Sequence, residues 1–258
     1  MTAVDPVDVP FLPSVATLSV DGARVLDLLA SLVEPLWQSL STDSEVVLHE
    51  IGLLPNSVVA IAGSVTGRQV GDPATDLLLE QLRNVDREQN KVDYLSVLPD
   101  GRRLRSSTMI VRDDGGVPVA ALCINTDITN WLGVQQQVDA MVSGRATPAR
   151  SPRPVRMERI VQSESPTARP AATGESFPRS VDELVSELIG AAIRRTGVPV
   201  ELMKKNHKLA VVEELEAKGL FLLKDAVEVI ASALEVTRFT IYNYLNELAA
   251  AGESEPQS

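Results

Sequence analysis

The chain has 258 residues, 44% hydrophobic and 23% charged, enough for two modest domains with apolar cores. A formal net charge of -11 excludes a surface that holds nucleic acid by bulk positive charge, so any phosphate contact must come from local clusters. One cysteine, Cys123, and two distant histidines, His49 and His207, exclude a disulfide framework and a multi-cysteine zinc site.

No run reaches the roughly 18 apolar residues of a membrane helix. The opening MTAVDPVDVP lacks the basic and apolar regions of a signal peptide. The expectation is a cytoplasmic protein without membrane contact.

The first predicted element is a helix over Asp21 to Leu40, with Val25, Leu28, Leu29, Leu32, Val33 and Leu36 on one broad stripe. Two strands follow, SEVVLHEI and NSVVAIA, rich in β-branched residues and parted by the turn-like Gly52 to Pro55. The loop GSVTGRQVGDP and a short helix, TDLLLEQLR, come next. The strands KVDYLSVL and RRLRSSTMIVR are joined by Pro99-Asp100-Gly101, a hairpin signal, and VPVAALCINTDI follows Asp113 to Gly116. The N-terminal fold is thus an antiparallel five-stranded sheet with helices on one face.

Ile128, Trp131, Leu132, Val134, Val138, Met141 and Val142 form an apolar stripe on a helix leaving the sheet. It either pairs with a second copy, giving a homodimer, or folds back onto its own sheet. From Ser143 to Pro178 the chain is rich in Pro, Ser, Thr, Ala and Arg and lacks periodicity, which reads as a flexible linker. Its arginines are either part of a plain spacer or an arm for DNA phosphates.

The stretch KDAVEVIASALEVTRFTIYNYL has the spacing of a helix, a tight turn and a second helix, with Ala231, Leu234, Val236 and Ile241 closing the angle. Thr237 is placed to N-cap the second helix, and Lys224-Asp225 opens the first. Many such turns carry glycine after the Leu234 position; here it is Glu235. On a helical wheel Ile241, Tyr244, Leu245 and Leu248 share one face, and Phe239, Tyr242, Asn243 and Asn246 the other. The candidate DNA contacts are Thr237, Arg238, Phe239, Tyr242, Asn243 and Asn246. Asn243 suits an adenine edge, Arg238 a guanine edge or phosphate, and Phe239 a thymine methyl. Lys204 and Lys205, in the cluster running to Lys208, are the best local source of positive charge in a mildly acidic region. The other reading of the same hairpin is a surface that packs, dimerises or recruits a protein.

In the N-terminal part, Ser64, Thr66 and Arg68 of the glycine-bearing loop, Asp76 after it and Asn125 at a strand end are candidate ligand-pocket residues; the loop can equally be a rigid connection. Thr75-Asp76 can also cap the following helix. His49 alternates with apolar residues in a strand and reads as a hydrogen-bonded core histidine rather than a haem ligand. Cys123 lies in LCIN, without the NCRFLQ phrase of flavin-binding photosensory domains, and reads as a small buried hydrophobe. No cofactor and no metal are predicted. The absence of a nucleophile-base pair or other catalytic signature argues against an enzyme.

The strand order, with Asp127 to Thr129 ending the last strand, resembles a PAS domain. The phrases EVVLHEI, SVVAIAGSVTGRQVGDPATDLLL, RRLRSSTMIVRDDGGVPVAALCINTDIT and KLAVVEELEAKGLFLLKDAVEVIASALEVTRFTIYNYL resemble the YheO-like and DauR-like bacterial transcriptional regulators. That resemblance implies an α+β chain with a PAS-like sensory domain, placed over 1–142, ahead of the linker that composition alone reads over 143–178. An all-α helix-turn-helix domain over 179–250 and a disordered tail over 251–258 follow. It further implies a regulator that binds double-stranded DNA, in at least one branch a repressor of amino-acid utilisation genes, with a possible small-molecule effector. The alternative function is a protein-interaction adaptor that never meets DNA.

Overall fold

The computed structural model describes residues 18–83, 90–143, 172–173 and 175–252. Helix α1, Val20–Ser39, starts where the Ser19 hydroxyl accepts the Gly22 amide at 2.9 Å, satisfying one of the orphan donors of a first turn. The strands are β1 (Ser44–Glu50), β2 (Val58–Ala62), β3 (Lys91–Val97), β4 (Arg103–Arg112) and β5 (Pro118–Asp127), with α2 (Asp76–Arg83) between β2 and β3. All five pair antiparallel in the order β2-β1-β5-β4-β3, and a two-residue β6, Ala172–Thr173, adds to the edge of β3 in parallel. The five-stranded antiparallel sheet read from the sequence is therefore present, and its outer edge carries a strand that periodicity did not announce.

Strand alternation divides the sheet into two unlike faces. Val46, Leu48, Ala120 and Leu122 pack under α1 with Val33 and Trp37. The opposite face carries Glu45, Val47 and His49 from β1 and Cys123 and Asn125 from β5. It lies beside the glycine-bearing loop. The hairpin between β3 and β4 closes as expected, with the Gly101 amide donating to the Leu98 carbonyl at 2.9 Å and Gly101 at φ +88°.

After the sheet, α3 (Thr129–Val142) has no buried residue, and Trp131 is 67% exposed. Its apolar stripe is not folded back onto the sheet. The arginines from 145 to 169 and the MERIVQ stretch lie outside the described residues. At the far end of the segment read as linker, however, residues 172–173 pair with β3 and Glu175 is buried. An ordered strap thus replaces mobile chain there, because the sheet edge offers unpaired backbone groups to any passing extended segment.

The C-terminal part contains α4 (Val181–Thr196), α5 (Lys205–Ala217), α6 (Ala226–Ala233) and α7 (Arg238–Gly252). Ser180 caps α4 by accepting the Glu183 amide at 3.1 Å. Of the tail, residues 253–258 lie outside the described residues, and residues 251–252 end α7. Leu184, Leu188, Val211, Leu215, Leu220, Ile230, Leu234 and Ile241 form a core that also takes in Leu78, Leu79 and Leu82 of α2. Helix α2 is therefore shared: its start touches the sheet domain's loop, and its leucines belong to the helical core. Lys218 pairs with Glu80 at 2.6 Å and Arg83 with Glu216 beside that contact.

Candidate functional site

The turn between α6 and α7 is closed by backbone bonds from the Val236 amide to the Ala231 carbonyl, 2.9 Å, and from the Glu235 amide to the Ser232 carbonyl, 3.2 Å. This pairing places the residue after Leu234 in the left-handed region, and Glu235 indeed has φ +52°. The missing glycine leaves the turn's geometry unchanged and makes a side chain bear its strain. From α5, Lys208 donates to the Leu234 carbonyl at 2.7 Å, binding the last turn of α6 and its unpaired carbonyls. Lys208, one of the clustered cations, thus serves the fold.

Thr237 caps α7, its hydroxyl accepting the Thr240 amide at 3.2 Å. Ile241 and Tyr244 are buried, whereas Thr237, Arg238, Phe239, Tyr242, Asn243 and Asn246 are exposed, with Phe239 at 73%. The six residues therefore share an outward surface that the helix start and one polar face define. The positive charge near them is not idle. Arg238 pairs with Glu228 of α6, and Lys205 with Glu247 at 2.7 Å, while Lys204 is exposed. Two of the cations on this surface are accordingly balanced by acids before any partner arrives.

The second candidate site is the polar face of the sheet. Register places Glu45 opposite Asn125, Asn125 opposite Ser106, and Ser106 opposite Tyr94, so a polar row runs across four strands. Thr108 faces Cys123 in the next row. The Glu45 carboxylate accepts three bonds: the Thr66 amide at 2.9 Å, the Thr66 hydroxyl at 2.7 Å and the Asn125 side-chain amide at 3.0 Å. Three donors on a fully buried carboxyl group offset part of the cost of taking it out of water.

His49 is held between Ser57, 2.8 Å from Nδ1, and Arg68, 3.3 Å from Nε2. Because Arg68 can only donate, Nε2 accepts and the ring is neutral; burial, then the guanidinium, hold its pKa well below the ordinary value. Both ring nitrogens are engaged, which removes His49 as a metal ligand in this arrangement. Burial pushes the Cys123 thiol up to about 11, so its thiolate is suppressed and the residue packs as an apolar group.

Of the candidate pocket residues, Thr66, Arg68 and Asn125 come together on this face, and Asp76 stands at its edge, accepting the Ser176 amide at 2.8 Å. Burial raises the pKa of Asp76. Ser64 is exposed and does not join them, because Gly63, at φ +91°, turns the chain outward at that point. Thr75 instead faces inward and caps α2, accepting the Leu78 amide at 3.2 Å.

Sequence reasoning passed over Glu45, Tyr94, Ser96, Ser106, Thr108 and Glu175, all buried. The period-two pattern of EVVLHE already put Glu45 on the His49 face, and this signal was available. Glu175 had none, since it follows a proline-rich stretch without periodicity.

Residues 21–143 match the model of the YheO-like PAS domain family, and residues 184–246 match that of an HTH domain. The chain is 28% identical over 211 residues to the transcriptional regulator DauR of Pseudomonas aeruginosa, covering 81% of this chain and 88% of that protein. It is 25% identical over 227 residues to the uncharacterized protein YheO of Escherichia coli K12, covering 86% and 84% respectively. An uncharacterized protein of Haemophilus influenzae is 25% identical over 229 residues, covering 88% of this chain and 93% of that one. No solved structure matches the chain significantly.

Proposed function

Because the chain belongs to the family that joins a YheO-like PAS domain to a helix-turn-helix domain, we propose that it is a DNA-binding transcriptional regulator, acting as a repressor of metabolic genes. In this reading it works in the cytoplasm as a homodimer. Its PAS domain responds to a small molecule. The observation that carries the reading is the outward face of α7, where Thr237, Arg238, Phe239, Tyr242, Asn243 and Asn246 are all exposed while Ile241 and Tyr244 anchor the helix.

Asn243 is assigned to an adenine edge, Arg238 to a guanine edge or phosphate, and Thr237 with the helix start to a phosphate. Lys204 and Lys205 supply backbone contacts. The unpartnered stripe of α3 is assigned to a second copy of the chain, which sets two α7 helices on a pseudo-palindromic site. Among the described residues no helix is long and apolar enough to cross a membrane.

For sensing, an effector must bind the DNA-competent and incompetent arrangements with different affinity. Helix α2 is the natural relay. Thr75 and Asp76 start it at the polar face, and Leu78, Leu79 and Leu82 bury it in the helical core.

The test is a binding titration on DNA from upstream of the chain's own gene at two salt concentrations. Lys204→Ala weakens all sequences alike, and Asn243→Ala removes selectivity at one position at a cost of about 1–3 kcal/mol. Binding that is equally strong on scrambled DNA, or absent at low salt, overturns the reading. It would favour an adaptor instead, a role that the exposed Phe239 and Tyr242 and the acid-paired Arg238 suit.

A further inference from the structure

The strap that leads into the helical domain lies on the polar face of the sheet. Its β6 residues pair with Leu95 and Ser96. Glu175 follows, 7% exposed, with Oε1 accepting the Tyr94 hydroxyl at 3.4 Å and Oε2 without a hydrogen-bond partner among the described residues. Arg68, 4% exposed, has Nη1 on the Pro73 carbonyl and Nη2 on His49 and leaves its Nε without a partner among the described residues. Phe177 lies over the Arg68 guanidinium, 5.9 Å from ring centroid to Cζ, and packs against Val65, Leu98 and Leu104. A buried guanidinium and a buried carboxyl, each with a hydrogen-bonding atom unfilled among the described residues, mark a place built for more polar contact than these residues supply.

We propose that the strap is a built-in occupant of the PAS ligand site: the Glu175 carboxylate and the Phe177 ring stand in for a small carboxylic acid with an aryl or branched-alkyl body. Such an acid takes the Arg68 guanidinium and the apolar patch, and displaces Glu175 and Phe177 from the sheet. This rests on the reading that the PAS domain binds a small molecule, and it names the class of that molecule.

The chemistry of the site argues for an acid. Arg68 is a planar donor without acceptor capacity, so it matches a carboxylate. The ring position of Phe177 is bounded by aliphatic side chains, so it matches an apolar body. A neutral amide of the same shape carries the body and lacks the charge.

Displacement also has a mechanical consequence. The Ser176 amide is bonded to Asp76 at the start of α2, the Ser176 hydroxyl to Glu187 of α4, and Ser180 caps α4. Removing Glu175 and Phe177 from the sheet therefore loosens the ties of the strap to α2, the helix shared by the two domains, and to α4 of the helical one. Occupant and effector compete for one site, so the effector's apparent affinity falls by the fraction of time the strap is docked.

The experiment uses the full chain at pH 8, with phenylacetate and isobutyrate as acids and phenylacetamide as the neutral control. Calorimetry gives affinity, and hydrogen exchange gives protection of the Ser176 amide. The expected result is that each acid raises Ser176 exchange, that the amide does not, and that the E175A/F177A double variant binds the acids at least tenfold more tightly than the native chain. Glu175→Gln, which keeps the shape and removes the charge, is the second variant: it keeps the strap docked at pH 8, where the native carboxyl ionises, and is expected to weaken acid binding severalfold even where the double variant folds poorly.

Unchanged acid affinity in Glu175→Gln, or acid bound with Ser176 still protected, overturns the proposal. Thermal stabilisation by the amide as strong as by the acids overturns the acid class while leaving a small-molecule PAS site standing. Failure of all three probes to bind any form overturns the strap as occupant.

Discussion

Gly219 approaches Leu79 so closely that a Cβ on it would lie 2.5 Å from the Leu79 carbonyl oxygen. The backbone of the helical domain thus rests directly on α2, and it does so at a left-handed residue with φ +73°. Gly219→Ala is expected to lower stability by at least about 2 kcal/mol, from the left-handed penalty of roughly 1–2 kcal/mol plus the clash. Gly71→Ala is the control, because Gly71 has φ +91° and nothing within 4 Å of its virtual Cβ. Denaturant unfolding of both variants separates the two contributions, and equal losses would show that the contact with Leu79 is slack.

Glu45 is expected to be among the costliest single sites in the sheet. Glu45→Ala leaves the Thr66 amide and hydroxyl and the Asn125 amide without their acceptor, at about 3 kcal/mol or more for buried unpaired donors. Glu45→Gln retains two of the acceptor contacts at most and is expected to lose less. A stability loss under about 1 kcal/mol for the alanine variant would mean that these donors find other partners.

The Glu175 carboxyl is raised from 4.5 to about 7, first by burial and then by Asp76, with Arg68, Thr75 and Tyr94 pulling it down; Cys123 is also close by. A carboxyl raised in the folded state favours folding most fully below its ordinary value, and that contribution disappears as pH rises through about 7. The docked strap is therefore expected to be tighter at pH 5 than at pH 8. Hydrogen exchange at the Ser176 amide against pH measures this, and Glu175→Gln is expected to flatten the profile.

Glu235→Gly is expected to stabilise the chain by up to about 1 kcal/mol, the left-handed strain relieved exceeding the entropy that glycine adds to the unfolded state. The substitution leaves the outward face of α7 intact. Thermal unfolding checks the sign, and a lower Tm would show that the Glu235 side chain has a stabilising contact of its own.

Trp131 is expected to hold two copies of the chain together. Replacing it with glutamate puts a charge near the start of the exposed α3 stripe, and sedimentation should then report a shift from dimer to monomer with secondary structure unchanged. A native chain that sediments as a monomer would refute this role.

Much of this architecture is legible in the sequence because its signals are local. Val46 and Leu48 alternate with Glu45 and His49, Pro99-Asp100-Gly101 marks a hairpin, and Ile241 and Tyr244 sit four and seven residues after Thr237 at helical spacing. The wheel separates the buried face of α7 from the exposed one for the same reason. The polar face of the sheet is harder to read. Asn125 and Glu45 meet only through strand register, Arg68 reaches His49 from a loop, and Glu175 comes to this face 130 residues along the chain after Glu45. No periodicity encodes that return. Nor does composition reveal that Lys208 is spent on the Leu234 carbonyl or that Arg238 is paired with Glu228, since both depend on neighbouring helices.

The pairing of Arg238 with Glu228 bears on how such a surface would choose among sequences. A guanidinium already held by a carboxylate gains little from an arbitrary phosphate, and the carboxylate left behind repels the backbone it faces. In the proposed reading only a site whose base edges repay that exchange would be worth occupying, so the acidic neighbour would work as a filter against the far more numerous wrong sequences.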